Sequence, residues 1–148
     1  MKNQTFLTFR VGLQTFSLPV DVVVQVVRLP ALTMLAEAPP AIAGLLNLHG
    51  HLIPVLIGHV LLDQHGSVGI NSFVIVIGHN IEHPILGLIV DEVYDVVTVS
   101  ADRFVPLEYE NRLLCASLRI DDQIVLVLEP SALFERASLR QTFTTVPV

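Results

Sequence analysis

Apolar and polar residues alternate from the start of the chain. Over residues 5–11, Phe6 and Thr8 fall on one side and Leu7 and Phe9 on the other, the two-residue period of a strand. Gly12-Leu13 breaks the pattern and residues 14–18 resume it, which predicts a first hairpin stopped by Pro19. Asp21 is placed to cap one helical turn reaching Val24. The valine-rich run that follows predicts a strand to Leu29, because β-branching restricts side-chain rotamers in a helix. Residues 30–40 read as a loop, 42–48 and 51–57 as strands about a His49-Gly50 turn. Pro54 within the second of these predicts an edge strand or a bulge, since proline brings no N–H to a ladder. Residues 58–62 read as one helical turn and 63–71 as a polar loop. Strands are predicted over 73–78, 85–90 and 93–99, then a loop over 100–111 built around Pro106. A last hairpin, 113–120 and 123–128, turns on Asp121-Asp122. Residues 130–136 form the one helix of any length, with Leu133 and Phe134 facing the core, and 137–148 read as a ragged tail.

About ten short strands with tight turns, and no regular crossover helices, predict an all-β barrel or sandwich. Each half of the chain holds a hairpin-rich block of similar length. A chain of 148 residues suits one ordinary domain or two small, intimately packed subdomains. Composition adds a surface to this picture. With 52% hydrophobic and 15% charged residues, the chain is too apolar for disorder and has too little charge to cover itself. Apolar side chains left outside mark contact surfaces. Residues 38–62 carry no Asp, Glu, Lys or Arg, yet Pro39, Pro40, Gly44, Gly50, Pro54 and Gly58 interrupt them, so two buried strands fit better than a membrane span.

A formal charge of −6 with dispersed basic residues excludes the basic stripe that nucleic acid requires. The acidic residues from Asp91 to Glu110 read as a solvated face. Cys115 is the single cysteine, a small hydrophobe inside a strand; it has no internal disulfide partner, which fits a reducing compartment. The alternating N-terminus shows no secretion signal, so a cytoplasmic location is expected. His49 and His51 share a strand face, but two ligands fall short of the four of a structural zinc site. Asp91-Glu92 and Asp121-Asp122 are adjacent carboxylates that point to opposite faces of a strand. The serines lack a nucleophile elbow, and there is no glycine-rich phosphate loop. The expectation is a binding protein with no catalytic residues, no cofactor and no metal. The junction AEAPPAIAGLLNLHGHLIPVL stands out: prolines stiffen the loop, Asn47 is placed to bond the local backbone, and the turn presents His49 and His51 on a stiff hairpin.

That junction resembles the signature of the CheW-like family of chemotaxis coupling proteins, through Pro39, Pro40, Gly44, Asn47, Leu48, Gly50, Ile53, Pro54 and Val55. The opening strands are similar through Phe16, Leu18, Pro19, Val20 and Val27, and the run Gly87-Leu88-Ile89-Val90-Asp91-Glu92-Val93 resembles a further family strand. The resemblance implies two packed five-stranded SH3-like β-barrels with a short C-terminal helix, forming one domain over 1–148 with its core at about 5–136. It implies an adaptor without an active site, cytoplasmic and recruited to receptor arrays. Such an adaptor links methyl-accepting chemoreceptors to a CheA-type histidine kinase. One barrel would meet the kinase regulatory domain, and a groove between barrels would receive the receptor tip.

The chain departs from the pattern at His49, where the family carries arginine, at Ile57, Gly58 and His59, where it carries Asp-Leu-Arg, and at Gln25, where it often carries glutamate. Histidine cannot reproduce the fixed donor fork of arginine. A second reading therefore stands beside the first: a divergent scaffold with a non-receptor partner. The candidate protein-binding residues are Gln25, Val27, Leu48, His49, Ile57 and His59, with Leu88, Val90 and Val93 lining the groove from the second barrel. Val27 also reads as core. Alternation puts Leu88 and Val90 on one face without saying whether that face is inward.

Overall fold

In the computed structural model, which describes residues 2–108 and 112–138, eleven strands form two sheets. β1 (Asn3–Val11), β2 (Gln14–Pro19), β8 (Glu92–Ser100), β9 (Val105–Pro106), β10 (Leu114–Ile120) and β11 (Gln123–Leu128) make a six-stranded sheet in the order β8-β1-β2-β11-β10-β9. β3 (Val23–Arg28), β4 (Ile42–Leu48), β5 (His51–Ile57), β6 (Phe73–Gly78) and β7 (Pro84–Val90) make the other, in the order β3-β6-β7-β5-β4. The extra strand relative to expectation is the two-residue β9, inside the segment read as a loop. The chain opens in the first sheet, builds all of the second, and returns to finish the first. The two hairpin-rich blocks are therefore not the two subdomains, because both ends of the chain build one sheet. Each sheet contains one parallel pair, β2 with β11 and β5 with β7, and each pair joins strands remote in sequence.

The inner strands β6 and β7 bury both faces, and this explains runs such as Val74-Ile75-Val76-Ile77. On β7, Leu86, Leu88 and Val90 point into a central core shared with Leu7, Phe9, Val11, Phe16 and Leu18 of the first sheet. Ile89, one step out of phase, points the other way, into a core with Val55, Val74, Val76 and Ile53. The six-stranded sheet does the same, with Phe6, Leu118, Val125 and Val127 enclosing its own core on its far face. Each sheet thus curls around a private core, and the two lie back to back across the largest one.

The short helix α1 (Gly58–Leu61) follows β5, and α2 (Pro130–Ala137) closes the described chain. Pro130 sits in the first turn of α2, and the Glu129 carboxylate accepts from the Ser131 N–H at 3.3 Å, a polar start for the helix. Leu133 of α2 is fully buried in the central core, and Phe134 is half-buried against it. Residues 139–148 of the expected tail lie outside the described residues.

Pro54 lies on an interior strand, not an edge. Its partner across the hairpin is Leu45, whose N–H and carbonyl both bond to Thr33 on the outer side of β4. The Pro54 nitrogen therefore points away from β4. Pairing of β5 with β7 begins only at Val55, so the missing N–H removes no ladder bond.

The buried position of Leu88 in the shared core gives a stability prediction. Leu88→Ala is expected to cost about 2–5 kcal/mol, read as a lower urea midpoint. Loss of the shared core should lower the unfolding of both sheets together, so separate transitions for the two sheets would contradict it.

Candidate protein-interaction site

The β4–β5 hairpin is built by its two-residue turn. His49 at φ 51° and Gly50 at φ 90° both adopt the left-handed conformations that match the twist of the flanking strands. The Asn47 side chain accepts from the Gly50 N–H at 3.0 Å and locks the tip. His49 and His51 are exposed, and Leu52 beside them is 62% exposed. This is a stiff, partly apolar tip on the five-stranded sheet.

The open edges are a second set of surfaces. β3 and β8 are edge strands, whereas the edge of β4 is partly covered by its bridge to Thr33. Register places Val26 opposite Ile75 and Val96 opposite Leu7, so both belong to the face of their sheet that builds the central core. Yet Val26 and Val96 are exposed, 37% and 55%. The central core therefore runs out into apolar surface at an edge of each sheet, with Tyr94 also exposed on β8. Arg28 covers part of this face on β3, its guanidinium 5.2 Å from the Phe73 ring centroid.

The third feature is a junction around Asp91, the residue joining β7 to β8. Its carboxylate accepts from the Gly12 N–H at 2.7 Å and lies 3.0 Å from Nε2 of His59 and 3.5 Å from the Arg10 guanidinium. Arg10 donates to the Gly12 carbonyl at 2.7 Å and lies 3.7 Å from Glu92. His59 Nδ1 is buried with no hydrogen-bond partner among the described residues, so the polar contact of the ring runs through Nε2 to Asp91. The junction floors an open cleft of about 760 Å³, with the exposed side chains of Leu13 and Ile70 on its rim.

Of the nine candidate protein-binding residues, His49 alone is exposed. Gln25 on β3 is half-buried. Val27, Leu48 and Ile57 are half-buried against the private core of the five-stranded sheet, and Val93 against the central core. Leu88 and Val90 are corrected outright: both are fully buried, because the face they share is the one turned to the other sheet, and they line no groove. His59 is also corrected. It is 5% exposed, turned inward to Asp91 and offered to no partner. Asp91 in turn is no part of a solvated acidic face. The residues missed were Val26, Leu52, Tyr94 and Val96. Their hydrophobicity was visible, but exposure depends on which strands are sheet edges.

Cys115 on β10 is half-buried, its thiol 3.6 Å from the Val127 carbonyl. Burial, and then the charge of neighbouring Glu129, push its pKa up. Among the described residues, no three His, Cys, Asp or Glu side chains group as metal ligands, and no helix is long and apolar enough to cross a membrane.

Comparison with known proteins adds the following. A sequence profile of the CheW-like domain family matches residues 5–138. The chain is 31% identical over 105 residues to a chemotaxis protein CheW of Klebsiella aerogenes, an alignment covering 70% of this chain and 62% of that protein. It is 25% identical over 137 residues to a chemotaxis protein CheW of Rhizobium meliloti, covering 89% and 88%. Among solved structures, the scaffolding protein TtCheW from Thermoanaerobacter tengcongensis has the same fold, with a TM-score of 0.77 at 21% identity over 86% of this chain and 90% of that one.

The raised Cys115 pKa has a measurable consequence. A thiol whose pKa lies above its ordinary value has less thiolate at any pH below it, and the thiolate is the nucleophile. Cys115 is therefore expected to react with Ellman's reagent at pH 8 more slowly than free glutathione, and to match it in denaturant. Equal rates in the native protein would contradict this.

Proposed function

The chain belongs to the CheW-like domain family, a non-enzymatic scaffold family, and we propose that it is a cytoplasmic signalling adaptor linking a chemoreceptor to a CheA-type histidine kinase. The observation that carries this reading is that the family profile runs from β1 to the end of α2, through both barrels, and not through one barrel alone. An adaptor with two partners needs two surfaces, and the hairpin tip and the open sheet edges are apolar and exposed. The hairpin tip at Leu48, His49 and Leu52 suits docking of the kinase regulatory domain. The apolar sheet edges, Val26 flanked by Gln25 and Val27 on β3 and Val96 with Val93 on β8, suit an apolar ridge of a receptor helix. We assign the chain no catalytic role, cofactor or metal.

The second reading is a scaffold of the same family with a partner other than a chemoreceptor. The observation favouring it is His59, which stands where the family carries arginine and is turned inward onto Asp91. A permanent charge is absent from the surface at that position, as it is at His49.

Calorimetry with the cognate kinase regulatory domain tests the adaptor reading. Binding is expected, with Leu52→Asp weakening it about tenfold or more and Val26→Asp leaving it nearly unchanged. No complex at high micromolar concentration would end the kinase assignment. Receptor-dependent kinase activation in a reconstituted assay separates the two readings: activation that Val96→Asp abolishes supports the receptor-coupling one. Kinase binding without activation supports the scaffold.

A further inference from the structure

We propose that Asp91, His59 and the Gly12 amide form a directional clasp that holds the two barrels at a fixed angle. The chain passes between the sheets at two places, the single 3-10 turn Val20–Val22 and the one residue Asp91. At the second passage the hydrogen-bond donors come from both barrels. Gly12 belongs to the β1–β2 turn of the six-stranded sheet, and His59 to α1, which leaves β5 of the five-stranded sheet. The Asp91 backbone N–H also donates to the Arg10 carbonyl at 2.9 Å, tying the passage to the end of β1.

The physical need for such a device follows from the nature of the central core. That core holds the barrels together through aliphatic and phenyl side chains, and burial of this kind has no directional preference. Close packing of these side chains resists large rotations, but none of them adds a directional bond that fixes the angle. Hydrogen bonds weaken steeply away from alignment, and those to a carboxylate are the stronger kind. Asp91 is only 16% exposed at its side chain, so rotation that pulls the Gly12 and His59 donors away loses two hydrogen bonds that bulk water replaces only in part. The clasp also carries the 62–72 loop. Gly66 lies against the His59 ring so closely that a Cβ there would overlap it, and the Gln64 N–H donates to the His59 carbonyl at 2.9 Å. The start of the loop that carries Ile70 to the rim of the cleft thus rests on the same histidine.

His59 is on this account a positioning residue. It sets how the surfaces of the two barrels face each other without touching a partner. The inference stands on the geometry alone and is independent of which partners the adaptor binds.

The test uses pulsed electron double resonance on the full chain with Cys115→Ser as background. Spin labels are placed at His51→Cys on the five-stranded sheet and Arg119→Cys on the six-stranded sheet, both exposed positions. The parent is expected to give one narrow distance distribution. His59→Ala and Asp91→Ala should each broaden it at least about twofold while circular dichroism stays native. His59→Gln, which keeps an N–H able to reach Asp91, should restore the narrow distribution. Should Asp91→Ala fail to fold, His59→Ala and Asp91→Asn carry the same readout. A distribution in folded His59→Ala as narrow as in the parent would overturn the clasp, even if the melting temperature fell. Kinase binding, measured separately on the same variants, reports on the adaptor role and not on the clasp.

Discussion

Everything in this molecule rests on the apolar interface between the backs of its two sheets. Leu86, Leu88 and Val90 from one sheet meet Leu7, Phe9, Phe16 and Leu18 from the other, and Leu133 of α2 fills the same space. A sheet that curls around a core of its own has one face satisfied. The other face must find a cover or expose a continuous apolar surface. Here each barrel covers the other, and the six-stranded sheet is complete only when both ends of the chain meet. The strands β1 and β2 are separated from their partners β8 and β11 by the entire five-stranded sheet. Completing the six-stranded sheet therefore brings together segments that flank the whole of the other sheet.

That arrangement also decides where function can reside. The shared core is sealed at its middle and runs out at the edges, where Val26 on β3 and Val96 on β8 carry its apolar character to the surface. The hairpin tip is independent of it, stiffened by its own turn and by Asn47. An adaptor of the CheW-like family that uses both the hairpin tip and the sheet edges is useful only if those surfaces hold their relation. Apolar burial supplies the adhesion between barrels, and polar geometry at Asp91 supplies the orientation.

The sequence by itself determined the elements. Alternation, valine-rich runs and turn residues located the strands to within a residue or two, and Asp121-Asp122 and His49-Gly50 fell on two-residue turns with positive φ. The resemblance at residues 36–56 and 87–93 led to the family before any contact was known. These features are local: side-chain period, turn chemistry and motif spacing act over a few residues, so a linear reading finds them.

Pairing and facing were decided by the tertiary structure. Leu88 and Val90 share a side by alternation, but only the second sheet makes that side interior. Pro54 looks like an edge residue until Thr33 is seen to take up the outer bonds of Leu45 and β7 to start its pairing one residue later. Val26 and Val96 read like any other strand valine, because a strand becomes an edge only when no further strand joins it. His59 and Asp91 lie 32 residues apart and meet through the packing of α1 against β7. Exposure, edge position and the partner of a buried charge are properties of neighbours distant along the chain, and the local pattern of residues carries no record of them.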